Sequence, residues 1–193
     1  MKPTKIKIDN IEYPINTDFR VAIKCDKVGR DTSIGDMERA LAIIYMLFGE
    51  KGLENDFHHQ QLLELAQKYL SCGKEIEKSN KEPDMDYEQD MDYIYASFMS
   101  DYNIDLENTQ MHWWTFNTLI NGLSNNEFGN CCIFNKIRNI RNYDLKEIKD
   151  VKERQKMQKA KESVALKKVA IQKKFTDEQE KNIEEFKRLA GIS

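Results

Sequence analysis

From Asn16 to Asn142 the apolar residues recur at intervals of three and four, and the whole chain holds only three prolines and eight glycines to interrupt that rhythm. A chain so poorly supplied with turn residues favours helices over a many-stranded fold. Thr17 or Asp18 can cap a first helix over Phe19–Lys27, with Phe19, Ala22 and Ile23 facing inward. After the loop GRDTSIG, Asp36 opens an amphipathic helix through Phe48 whose stripe is Met37, Ala40, Leu41, Ile44, Leu47 and Phe48. A third helix is expected from about Asp56 to Cys72, buried through Leu62, Leu63, Leu65, Ala66, Tyr69 and Leu70. Gly73 to Pro83 reads as a charged loop. The spacing then predicts helices over Tyr87–Tyr102, from a cap at Thr109 to about Leu123, and over Phe128–Asn142.

The first fifteen residues follow a different rule. In KIKIDNIEYPI the apolar residues alternate, and a two-residue turn at Asp9–Asn10 pairs Ile8 with Ile11 and Ile6 with Tyr13 on one face. Lys7 then faces Glu12 on the other, a favourable cross-strand pair. Pro14 ends the second strand or lies on an edge. The expected architecture is mainly α: about six helices with an N-terminal β-hairpin over residues 1–143, followed by a basic helical tail over 144–193.

Charge separates along the chain. The net charge is −3, yet Leu145–Lys174 carries eleven basic residues against four acidic ones. The apolar residues there keep no single stripe, as in a helix that is solvated or depends on a partner. Thr176 and Gln179 form a capping box that starts a second tail helix or marks a break at Phe175–Thr176. Charge of this sign suits nucleic acid, but with one aromatic residue, Phe175, few arginines and interspersed glutamates a solvated helix or a site for an acidic protein partner fits better. The chain's own acidic Asp84–Glu107 segment is a further partner for it. No apolar run is long enough to span a bilayer, and the lysine-dotted N-terminus lacks a signal-peptide core, so a soluble, unexported chain is expected. Cys25, Cys72, Cys131 and Cys132 show no CxxC spacing and suit reduced thiols.

Asp84–Asn108 holds eight carboxylates and no lysine or arginine. The alternation Asp84, Asp86, Glu88, Asp90, Asp92 looks like a calcium loop but lacks the turn glycine and the closing glutamate. A solvated acidic helix start is the better reading. His58, His59 and His112 show no metal-binding or triad spacing, and no glycine-rich loop follows a strand. No catalytic residue, metal or cofactor is therefore assigned. On a helical wheel Phe116, Leu119, Ile120 and Leu123 centre one apolar face; Trp113 lies at its margin and Trp114 nearly opposite, where burial requires a second layer of structure. Trp113, Trp114, Asp86, Asp90, Asp92 and Tyr93 are the candidate partner-binding residues.

Several stretches together resemble the phage gene-product-fifteen family of Gram-positive phages and prophages. They are YPINTDFR (Tyr13–Arg20), CGKE (Cys72–Glu75), DYEQDMDYIYASFMSDYNIDL (Asp86–Leu106), MHWWTFNTLINGL (Met111–Leu123) and KIRNIRNYDLKEIKD (Lys136–Asp150). At Lys136–Tyr143 the chain departs from a glycine-containing segment more usual in the family. The resemblance implies a non-catalytic protein of the siphovirus tail module, acting as an assembly chaperone for the tape-measure protein. A structural tail or head–tail accessory retained in the virion is the alternative it leaves. The implied location is the host bacterial cytoplasm or the virion tail. The implied partners are phage tail proteins. The residues themselves give no membrane partner, leave a nucleic-acid-binding helper using Leu145–Lys174 as the least favoured reading, and leave self-association open.

Overall fold

A computed structural model describes residues 2–75, 82–125 and 131–167. The two N-terminal strands, β1 (Lys5–Ile8) and β2 (Ile11–Pro14), pair antiparallel in the expected register, with Ile8 opposite Ile11 and Ile6 opposite Tyr13. Asp9 and Asn10 both have positive φ, 46° and 67°. That is the geometry of a type I′ turn, whose twist matches the strands and which Asp and Asn tolerate. Lys7 faces Glu12 as expected, but the ion pair runs diagonally from Lys5 to Glu12 at 2.8 Å.

Seven α-helices follow among the described residues: α1 (Phe19–Arg30), α2 (Asp36–Phe48), α3 (His59–Leu70), α4 (Met91–Tyr102), α5 (Trp113–Asn121), α6 (Ile133–Asn142) and α7 (Val151–Val164). Asp18 caps α1 by accepting from Arg20 N–H at 2.8 Å. α2 keeps its expected bounds because Glu38 reaches back to Gly35 N–H at 2.9 Å and Gly49, with φ of 67°, ends it. Other boundaries move. The helix expected from Asp56 begins as a 3-10 turn, Asp56–His58, before α3. α4 starts at Met91 because Asp86–Asp90 forms turns held by the Asp86 carboxylate on Glu88 and Gln89 N–H. His112, not Thr109, caps α5, its Nδ1 accepting from Trp114 N–H at 3.0 Å. α6 starts at Ile133, capped by Cys132. The expected start at Phe128 and the Thr176–Gln179 capping box lie outside the described residues.

The core gathers around Phe116 of α5. Its ring stacks on Phe19 of α1 at 4.5 Å between centroids, on Phe98 of α4 at 5.2 Å and on Trp113 at 5.8 Å. Offset stacking of this kind adds to the burial each ring already contributes. α2 packs against α1 and α3, while α4 packs against α6 and α6 against α7. Ser97 of α4 ties that second group: its hydroxyl donates to Tyr93 O at 2.7 Å and accepts from Phe134 N–H at 3.1 Å. α7 has no buried residue, and Arg141 holds it by donating Nε–H to Val164 O at 2.6 Å. Met37, expected inward, is 70% exposed, because the buried part of α2 begins only at Ile44.

Candidate functional site

Two segments far apart in sequence meet through their backbones. Phe19 N–H donates to Met111 O at 3.0 Å, and Trp113 N–H donates to Thr17 O at 2.7 Å. Arg20 extends the junction. It pairs with Asp18 at 3.0 Å, lies over the Phe19 ring, and donates to the Leu106, Glu107 and Thr109 carbonyls. One guanidinium therefore pins the whole α4–α5 connection, using the fork of donors that only arginine offers.

The tandem tryptophans serve the far end of α3. Trp113 Nε1–H donates to Leu70 O and Trp114 Nε1–H to Tyr69 O, both at 2.9 Å. A helix C-terminus leaves carbonyls without intrahelical donors. Here Gly73 N–H takes Lys68 O at 2.8 Å and Cys72 N–H takes Tyr69 O at 3.0 Å, a Schellman arrangement. Cys72 and Gly73 both have positive φ, 55° and 74°, and a Cβ on Gly73 would meet the Trp114 ring at 3.6 Å. Trp114 also stacks on Tyr69 at 6.2 Å. The second layer that Trp114 requires is thus the end of α3.

Most of the acidic run is paired within the molecule. Asp84 takes Arg138 at 2.9 Å and Asn142 at 2.7 Å; Asp86 takes Arg30 at 2.8 Å; Glu88 takes Lys27 at 2.6 Å. Asp90 is fully buried, and both its oxygens accept from Arg141 at 2.7 Å. Partial burial pushes the Asp84 carboxyl up, but hydrogen bonds from Asn142 and Arg138 outweigh it and hold that group below its ordinary value. At Asp86 burial is likewise outweighed, by Gln89 N–H and Arg30. Of the six residues expected at a partner surface, Asp90 and Trp113 are buried, Asp86, Tyr93 and Trp114 are half-buried, and Asp92 is exposed.

A different corner presents apolar side chains to solvent. The hairpin, the end of α2 and the 3-10 turns Glu50–Gly52 and Asp56–His58 are knit together at Tyr13. Its ring meets Phe48 at 6.5 Å, and its hydroxyl shares a 2.7 Å hydrogen bond with buried His58 Nδ1. His58 Nε2 is 3.4 Å from the Asp9 carboxylate. A Cβ on Gly52 would sit 2.9 Å from Ile44 and Phe48 side-chain atoms, so only glycine permits this close packing. On the elements that form this base Phe57 is 94% exposed, and Ile11 of the hairpin, Tyr45 of α2 and Leu53 are also exposed. The sequence reading passed over Phe57. The signal was present, since nine residues separate Phe57 from Ala66 and a helical wheel sets them on opposite sides.

A family model described as Bacteriophage Gp15 protein matches residues 2–166. No curated protein matches the chain. No solved structure matches it either. Among the described residues, no helix is long and apolar enough to cross a membrane.

Proposed function

The chain belongs to the bacteriophage Gp15 protein family, and from that premise we propose that it is a non-catalytic tail-assembly protein, a chaperone-like factor that binds the tape-measure protein in the host cytoplasm. The observation that carries the reading is Phe57, the most exposed of the large apolar residues described, next in sequence to His58, which is buried against Tyr13. Isolated apolar residues on a surface are ordinary. A nearly fully exposed phenylalanine on a backbone fixed by a buried neighbour is what a protein-binding anchor offers. Exposed Asp92 and half-buried Asp86, Tyr93 and Trp114 belong to the same reading as separate candidate contacts. Tape-measure proteins are long and helical, and an uncovered apolar helix aggregates unless a binder shields it.

Co-expression with the tape-measure protein of the same phage tests this. The two chains co-purify, and mass spectrometry of purified virions finds no stoichiometric amount of this protein. A tape-measure protein that stays equally soluble and unbound with and without this chain would defeat the proposal. Stoichiometric copies in mature particles would replace it with a structural tail component.

A further inference from the structure

We infer that the corner carrying Phe57 is the docking site for a basic amphipathic helix of another protein. The inference rests on the binding role proposed above and names the chemistry of what is bound. Phe57 is displayed on a fixed base. The Asn55 side chain accepts from Phe57 N–H at 3.2 Å, and the next residue, His58, is buried and bonded to Tyr13. A backbone held on both sides spares binding the cost of ordering the segment, so that only the rotamers of the Phe57 ring remain to be fixed. Apolar side chains at i, i+3, i+4 and i+7 of a helix make the hole that receives such a knob.

The rim gives the sign of the partner. Asp9 and Asp56 have side chains 82% and 90% exposed, and Glu50 and Glu54 are exposed without an ion pair among the described residues. Lys51 and, on the hairpin, Lys7 are the basic residues set against them, Lys5 being paired with Glu12. Four exposed carboxylates against two lysines leave the hairpin turn and the 50–58 segment acidic, which attracts lysine and arginine flanking an apolar stripe. They disfavour an anionic lipid surface, and they disfavour the same face of a second copy, which would set carboxylate against carboxylate.

The test titrates the full chain with two synthetic helical peptides of equal length and identical leucine stripe, flanked by lysine or by glutamate, and follows backbone amides by NMR. The lysine-flanked peptide is expected to shift amides of residues 50–58, and the glutamate-flanked one to leave them unmoved. Phe57→Ala weakens binding about tenfold or more at an unchanged melting temperature, and Glu50→Gln with Glu54→Gln weakens it and flattens its salt dependence. Three results overturn the inference: no shift at this corner, equal binding of both peptides, or a dimer in sedimentation that Phe57→Ala dissolves. Co-purification with the tape-measure protein separates the two claims. Undiminished capture by the Phe57→Ala protein removes the docking site and leaves the proposed function. No capture by the wild type, with lysine-peptide binding retained, removes the proposed function and leaves the docking chemistry.

Discussion

Asp90 and Arg141 meet across the α4–α6 contact as a bidentate ion pair, each carboxylate oxygen 2.7 Å from a guanidinium nitrogen. The side chains are 0% and 10% exposed. Arg141 also donates to Asp84 O at 2.9 Å, and Asp90 accepts from Asp86 N–H at 3.0 Å. Desolvating both charges offsets most of the Coulomb gain, so the pair adds little over an apolar contact of the same shape; losing one partner is what costs.

Arg141→Met should therefore lose about 3–5 kcal/mol of unfolding free energy, a large share of what a domain of this size has. Arg141→Met combined with Asp90→Leu should lose clearly less than the two single losses added together. Urea denaturation of the four proteins reads the coupling directly. Strict additivity would show that the two residues do not act as a pair.

Trp113→Phe and Trp114→Phe should separate. The first removes the indole donor from the part-buried Leu70 O, at a cost of about 1–3 kcal/mol. After the second, Tyr69 O keeps its bond from Cys72 N–H, so the loss should stay below about 1 kcal/mol. Thermal melts of both variants provide the comparison, and a larger loss at Trp114 would contradict the assignment of the two indoles.

In the hairpin, Asn10→Gly should raise stability by about 0.5 kcal/mol, because the positive φ there suits glycine best. Asn10→Val should lower it by about 1–2 kcal/mol through the clash of a branched side chain in the left-handed region. Melting temperatures that move together in both variants would show that the turn geometry is wrong.

Asp84 and Asp86 are both held below their ordinary value in the folded chain. A carboxyl lowered on folding contributes stability above its unfolded pKa and loses it as pH falls through the folded one. Stability should thus hold from neutral pH down to about pH 4 and fall below it. Asp84→Asn with Asp86→Asn should lower the neutral plateau and flatten that acid limb. An acid limb unchanged by both substitutions would place the proton uptake elsewhere.

The motifs that identify the family are read differently once their contacts are known. YPINTDFR supplies Tyr13 to His58, Asp18 to the α1 cap and Arg20 to the α4–α5 connection. HWW supplies the α5 cap and the two indole donors. These residues hold the core together, and the exposed corner around Phe57 lies outside the stretches that carry the resemblance. Motif strength pointed to Asp84–Leu123 as a surface because unbalanced charge and aromatic content are visible in sequence, whereas their partners are not.

What the sequence determined by itself is local. Period-two alternation and the Asp9–Asn10 turn set the register of the hairpin, and Glu38 with Gly49 set both ends of α2, because the groups involved lie within a few residues of each other. Only the tertiary structure decided that Trp113 and Trp114 reach back 43 and 45 residues to α3, that Asp90 is buried against Arg141 51 residues away, and that Phe57 is left outside. A side chain's chemistry names the kind of partner it needs. Whether that partner is another helix of the same chain or another protein depends on which surfaces the packed core has already covered.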